Sequence, residues 1–379
     1  DLNTIIKNKI FICATEQSGD NIGSKIIEEL KINNTFVIDG VGGRKISKLI
    51  NKTYFNLNDF KSIGIIEILG SIKKYLSMIE FLSNKIISNN YDMVITIDSP
   101  DFNYRLAKNI KSKGFKGNLI HIVAPSVWAW RKGRAKKFAE VYDKLLTIFP
   151  FENHYFKKYN LSTTYIGHPI YYIKKHKFSY RKKYVAFLPG SRSKEITSLI
   201  NYFKILQDYI YINSINLDIF IPTLPHLKKK LLNMTNNWKV RPIIETNSKL
   251  IEKNYSKTLL AVVCSGTASL EISKRKIPQL VIYKLNFITE MILSTLVYTR
   301  YASIINIMAK KMIIPEVVNS GLNDKKLLKN FINLLNNTNR NNKKQITSSQ
   351  IYIKQLINKK SPGEIAAQEI VKFISSKAI

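Results

Sequence analysis

The chain has 379 residues, long for one domain and sufficient for two of ordinary size. Sixty Lys and Arg against 26 Asp and Glu give a net charge of +34, and 45% of the residues are hydrophobic, enough for two cores. No stretch approaches 18 uncharged apolar residues, and Cys13 and Cys264 have neither metal-ligand spacing nor a disulfide framework. These features argue against a membrane-spanning or disulfide-stapled protein and for a reducing, cytoplasmic compartment. The positive surplus fits an anionic partner such as nucleic acid, a phosphorylated substrate or a membrane face. It fits equally a solvated coat, because Lys, Asn and Ile are abundant along the whole chain.

The first apolar run, "KIFICA", reads as a strand that meets Glu16 at once, too short for the core of an export signal. The amphipathic "NIGSKIIEEL" follows as a helix. The stretch 62–82, "SIGIIEILGSIKKYLSMIEFL", carries more aliphatic groups than one buried stripe needs, with Lys73 and Lys74 inside it. It reads either as a core helix or as an apolar surface with basic neighbours, suited to a membrane interface or acyl chains. The segment 287–298 is similar. "YDMVITI" is a buried strand stopped by a Pro-containing loop, and "NYRLAKNIKSKG" a helix. Next come the strand "NLIHIVA", a basic helix that includes Arg134, Lys136 and Lys137, the strand "KLLTIF" and the helix "ENHYFKKYN".

The polar stretch 168–183, broken by Gly-His-Pro, reads as a connection between domains. After it the alternation restarts: "KYVAFL", a long helix from "KEITSL", then "LDIFIP", "RPIIE", "LLAVVC", "ASLEISKRK" and "QLVIY". A low-complexity loop, "LLNNTNRNNKK", precedes the last helix, "PGEIAAQEIVKFISSK". Such alternation predicts an α/β protein with parallel sheets covered by helices, as two Rossmann-like domains facing across a cleft. The expected divisions are 1–170, 171–350, and a C-terminal helical segment, 351–379, that crosses back to an N-terminal domain of its own or of a second copy.

Three segments share a strand, a tight turn with Gly and a small hydroxyl residue, and a helix start: "CATEQSGDNIG", "FLPGSRSKEI" and "VVCSGTASLEI". Helix N-termini offer free N–H groups to phosphates, although capping alone also explains Ser, Thr and Asp there. None is a GxGxxG or Walker loop. Two of the three lie in the second half, which favours a diphosphate site formed by Ser191, Arg192, Ser265, Gly266 and Thr267. Arg192 can fork onto phosphate oxygens or pair with Glu195. Glu271 can accept from ribose hydroxyls or simply suit its helix. In the first half the candidates are acidic: Glu16, Ser18 and Asp20 around "QSG", and Asp98 and Asp101 around "SP". A carboxylate at a strand end, with Arg192 in the other domain, meets the needs of inverting glycosyl transfer. Asp98 reads as the base or a loop cap, and Asp101 as the N-cap of the next helix. No Asp-x-Asp pattern is present, so neither metal nor cofactor is expected.

In order, "ATEQSGDNIG", "GVGG", "IGIIEILG", "IDSPDFN", "APSVWAWRKGR", "FPFE", "YIGHP", "LPGSR" and "SGTASLE" resemble the motifs of lipid-A-disaccharide synthases over residues 9–320. The resemblance implies an inverting, metal-independent glycosyltransferase of the GT-B fold. It implies UDP-2,3-diacylglucosamine and 2,3-diacylglucosamine 1-phosphate as substrates, with the β-1,6-linked disaccharide and UDP as products. By motif, Asp98 matches the family's essential acceptor-side carboxylate and Arg192 its arginine at the UDP diphosphate. Glu16, Ser18 and Asp20 match the cleft loop, and Asn306 and Glu316 the donor-side "N…PE" segment. There the family usually has Gly-Arg where this chain has Lys310 and Lys311. The expected partners are these substrates and an anionic membrane surface, touched through Ile66, Leu69 and Ile72 at the inner face of the bacterial inner membrane. A homodimer is compatible with the sequence; nucleic acid is not an expected partner.

Overall fold

The structure, a computed structural model, describes residues 7–33, 35–61, 69–125, 133–175, 177–264, 266–284, 301–336 and 340–376. The apolar segment 287–298 and the Trp-containing stretch 126–132 lie outside them. The chain divides into two compact units, Asp1–Tyr171 with Leu356–Ile379, and Tyr172–Gln355.

The first unit holds a sheet of seven strands: β1 (Lys9–Ala14), β2 (Val37–Val41), β3 (Lys52–Phe55), β4 (Met93–Ile97), β5 (Asn118–Ile122), β6 (Lys144–Thr147) and β7 (Ser162–Tyr165). They are ordered β3-β2-β1-β4-β5-β6-β7, and every pair is parallel. Crossover helices cover both faces of such a sheet, so its central strands are continuous apolar runs. All five residues of "MVITI" in β4 are buried. The helix Gln17–Asn33 lies close against the sheet: a Cβ on Gly23 would stand 2.7 Å from Ile46 and 2.9 Å from Ile97. Because the chain runs outward from β1 to β3 and returns beside β1 as β4, the crevice between the carboxyl ends of β1 and β4 is a topological switch point.

The last helix, Pro362–Ser375, belongs to this unit. Ser361 caps it by accepting from the Glu364 N–H at 3.1 Å. Its Ala366, Ala367 and Ile370 join the core formed by Ile10, Ile12, Ile26 and Ile166. Lys144 Nζ meets Glu369 at 3.1 Å, and Thr164 donates to the same carboxylate at 3.4 Å. The returning chain docks on the "YIGHP" segment, where the His168 N–H donates to the Leu356 carbonyl at 2.9 Å. Gly167 there has φ 94°, and a Cβ would stand 3.3 Å from the Asn358 amide. Residues 351–355 complete the helix Asn341–Gln355 of the second unit, so the return begins at Leu356.

The second unit repeats the design with β8 (Tyr184–Leu188), β9 (Asp218–Pro222), β10 (Ile243–Glu245), β11 (Thr258–Val263), β12 (Gln279–Tyr283) and β13 (Glu316–Val318). The order β10-β9-β8-β11-β12-β13, again parallel, puts a second switch point between β8 and β11. Phe187, Phe203, Trp238 and Phe331 fill its core against the helix Ser193–Ile212.

Candidate active site

At the first switch point the loops after β1 and β4 are tied together. Ser18 donates its hydroxyl to Asp98 Oδ2, and Thr15 Oγ1 donates to Ser99 Oγ at 2.7 Å. Asp98 is half-buried, and its N–H donates to the Ile122 carbonyl of β5 at 2.9 Å. Glu16 and Ser18 are exposed on the same loop. Asp20 is not: it is fully buried, and its carboxylate accepts from the N–H groups of Gly43, Lys45 and Ile46 at 2.8, 3.1 and 2.9 Å. It caps the short helix Arg44–Ser47, so the expectation that it lines the cleft gives way to a structural role. Asp101 also departs from expectation. Pro100 takes the first helical turn, Ser99 holds the N-cap position, and Asp101 lies exposed in that turn, 3.0 Å from Arg134 Nη2.

At the second switch point, Gly190 has φ 134° and packs so tightly that a Cβ would stand 2.7 Å from Glu195 Cβ. Ser191 and Arg192 are exposed, and Arg192 occupies the N-cap position of the helix Ser193–Ile212 with no side-chain cap. The free N–H groups of a helix end and a guanidinium are both groups that can bind an anion. Among the described residues no Arg192–Glu195 ion pair forms; Glu195 Oε2 lies instead 3.8 Å from Cys264 Sγ. Burial raises the Glu195 carboxyl above its usual range, and the Arg192 charge pulls partly the other way. Burial, then Glu195, push the Cys264 thiol far up, which makes it unreactive. Tyr283 is raised by burial and by the same two neighbours.

Gly266 and Thr267 open the helix Gly266–Lys274, whose first residue sits close to the Ala302 carbonyl; Ser265 lies outside the described residues. Glu271 is exposed one turn before Arg275, which Glu252 holds and which stacks 4.5 Å from the Tyr255 ring.

Asn306 does not present its amide to a ligand. It is fully buried, donates to the Ile314 carbonyl at 2.7 Å and Glu316 Oε1 at 2.9 Å, and accepts from the N–H groups of Ile313 and Ile314 at 2.8 and 2.9 Å. Those four bonds exhaust an amide. Glu316 in turn accepts from the Ala302 and Ser303 N–H groups at 3.0 and 2.6 Å. The pair therefore shapes the loop beside Gly266 from behind, which corrects the expected direct donor contact for Asn306. Lys310 closes the helix Ile304–Ala309 with φ 55°, the left-handed conformation that glycine adopts freely.

On the first unit, the helix Leu69–Ser88 buries Met78, Ile79, Leu82 and Ile86 but leaves Ile72, Leu76 and Phe81 48%, 53% and 42% exposed. Leu76 and Phe81 line an open groove of about 860 Å³ with Arg105 and Lys108. Leu69 begins the helix; Ile66 is outside the described residues. No described helix is long and apolar enough to cross a membrane, and among the described residues no group of three or more His, Cys, Asp or Glu comes together.

Sequence reasoning did not single out Asn103, Thr15 or Ser99, and took Glu195 only as an ion-pair partner. For Asn103 a signal existed. It stands at the first place of the buried stripe completed by Leu106, Ala107 and Ile110, a polar residue in core spacing.

Two doubly wound parallel sheets, each with a polar crevice at its switch point, define an α/β protein of the GT-B type. Solved structures agree: a glycosyltransferase from Rickettsia africae superposes with a TM-score of 0.55 over 98% of both chains at 12% identity. A UDP-GlcNAc 2-epimerase from Neisseria meningitidis, bound to UDP-GlcNAc, gives 0.59 over 98% of this chain and 100% of its own, also at 12%. The model of the lipid-A-disaccharide synthetase family matches residues 10–370, and a lipid-A-disaccharide synthase from Rickettsia canadensis is 35% identical over 384 residues, covering 96% of this chain and 97% of the relative. The chain belongs to the lipid-A-disaccharide synthase family, and is a glycosyltransferase of that kind.

Proposed function

We propose that the protein transfers 2,3-diacylglucosamine from UDP-2,3-diacylglucosamine to 2,3-diacylglucosamine 1-phosphate with inversion, at the inner face of the bacterial inner membrane. Asp98 takes the proton of the acceptor's 6-hydroxyl as that oxygen attacks the anomeric carbon; the bond from that carbon to the diphosphate breaks, and UDP leaves with the electron pair. Arg192 and the N-termini of helices Ser193–Ile212 and Gly266–Lys274 neutralise the diphosphate, with Ser191, Ser265, Gly266 and Thr267 as donors and Glu271 on the ribose. Glu16 and Ser18 border the acceptor, and Asn306 with Glu316 supports the donor loop. The observation that carries the reading is the Ser18–Asp98 hydrogen bond across the first switch point, which holds the carboxylate of Asp98 at a crevice mouth. The Neisseria epimerase, solved bound to UDP-GlcNAc, supports a UDP-sugar donor for the shared fold.

The test is incubation with both diacylated precursors and detection of the disaccharide 1-phosphate and UDP by mass spectrometry. No product from folded protein removes the reading. Turnover is expected to survive EDTA; loss restored by Mg²⁺ or Mn²⁺ would overturn the metal-independent mechanism.

A further inference from the structure

Three non-glycine residues with positive φ stand together at the carboxyl ends of β4 and β5: Asp98 at 55°, Ser99 at 41° and Val123 at 74°. For β-branched Val123 this is a genuine outlier. Such conformations persist only where their surroundings over-determine them, and they gather at functional sites. Asn103 holds the first two of these residues, while the Val123 N–H donates to the Leu146 carbonyl at 2.9 Å. The Asn103 Nδ2 donates to the Ile97 and Asp98 carbonyls at 3.2 and 2.7 Å, and its N–H donates to the Ser99 carbonyl at 3.0 Å. One fully buried residue thus grips three consecutive carbonyls. Its Oδ1 is buried with no partner among the described residues, so the amide serves there only as a donor.

Asn103 is itself backed by a buried polar chain. Its carbonyl accepts from Tyr142 Oη at 3.1 Å; Tyr142 Oη lies 2.8 Å from Thr96 Oγ1, which lies 2.7 Å from His121 Nδ1. A carbonyl only accepts, so Tyr142 gives it its one hydroxyl proton. Thr96 then donates to Tyr142, and His121 Nδ1–H to Thr96. This tautomer puts the ring proton on Nδ1, and burial keeps the ring neutral although a backbone hydrogen bond at Val123 pulls partly the other way.

We propose that Asn103 is a positioning residue that holds Asp98 in the left-handed backbone from which its carboxylate meets Ser18, with Tyr142, Thr96 and His121 fixing Asn103 from behind. This rests on the reading of Asp98 as the base. The experiment is a double-mutant cycle of Asn103→Ala with Asp98→Asn, with steady-state kinetics on the two diacylated precursors, UDP affinity by calorimetry and folding by circular dichroism. Asn103→Ala is expected to lower kcat by about 10–100-fold, the effect of a small misplacement of a reacting group, with donor KM and UDP affinity unchanged. In the Asp98→Asn background the same change should have no further effect. Losses that multiply in the double variant, or wild-type turnover by Asn103→Ala, would overturn the inference alone. Wild-type turnover by Asp98→Asn would remove the base assignment and this inference with it. Should Asn103→Ala not fold, Tyr142→Phe takes its place: a several-fold loss of kcat that vanishes in the Asp98→Asn background supports the proposal, and a loss that multiplies overturns it.

Discussion

Asp98, Asp101 and Arg192 separate three roles that a charged residue can hold near a crevice. Asp98→Asn keeps shape and the Ser18 contact but cannot take a proton, so kcat should fall about 10²–10⁴-fold, with UDP affinity little changed. Arg192→Ala should weaken both UDP binding and turnover, because in the proposed reaction its charge faces the diphosphate before and during transfer. Asp101→Asn should be mild, since that side chain is exposed in a helix turn beside Arg134. Steady-state kinetics and UDP calorimetry on the three variants decide; a dead Asp101→Asn beside an active Asp98→Asn would exchange their roles. Lys310 offers a stability test. At φ 55° a lysine carries a strain that glycine lacks, so Lys310→Gly should raise stability by about 1 kcal/mol, read from urea denaturation. The place of Asp98 at the end of a buried strand was legible in the sequence because a carboxylate closing an apolar run is conspicuous. Asp20 and Asn306 misled, because what they bind is tertiary. Asp20 caps a helix more than 20 residues away, and Asn306 satisfies a loop that curls back onto it.

Among the elements, the helix Leu69–Ser88 shows how far periodicity reaches. Its surplus of aliphatic residues was visible, and the structure divides them between a core stripe and an exposed one. Replacing Ile72, Leu76 and Phe81 by Ser should release the protein from anionic liposomes while its circular dichroism is retained. Ile79→Ala, on the buried face, should cost roughly 2–5 kcal/mol and leave liposome binding per folded molecule unchanged. Unfolding of the triple Ser variant would mean that those side chains are core, contrary to their exposure. Nine of the thirteen described strands were readable in order, because a strand buried on both faces is a plain apolar run; the short, partly exposed Val37–Val41, Lys52–Phe55, Ser162–Tyr165 and Glu316–Val318 were missed. Adjacency was not readable. Nothing local in "KIFICA" or "YDMVITI" says that they become neighbours, and that adjacency is what makes the crevice.

For the whole molecule, the C-terminal return is the feature with a pH signature. Partial burial alone would raise the Glu369 carboxyl, but hydrogen bonding and charge from Lys144, with Lys372 and Thr164, hold it below its usual range. A depressed folded-state value means stability that is present above the unfolded value and lost as pH falls through the folded one. The Tm gap between wild type and Glu369→Gln should therefore be open at neutral pH and close in acid. The effect is modest, because the pair is partly solvated. A gap that widened in acid would contradict the assignment. The sequence left open where this helix docks, since an apolar stripe names no partner.

The same return sets an order of manufacture. The first unit lacks a piece of its core, Ala366, Ala367 and Ile370, until residues beyond 356 have left the ribosome, while the intervening unit is by then complete. The nascent chain must carry an unfinished sheet, with the apolar side of its helix Gln17–Asn33 open, through the synthesis of about half the protein. It is at that stage, rather than in the finished enzyme, that a truncation or a bulky C-terminal fusion should do its damage, as insoluble protein instead of a slow enzyme.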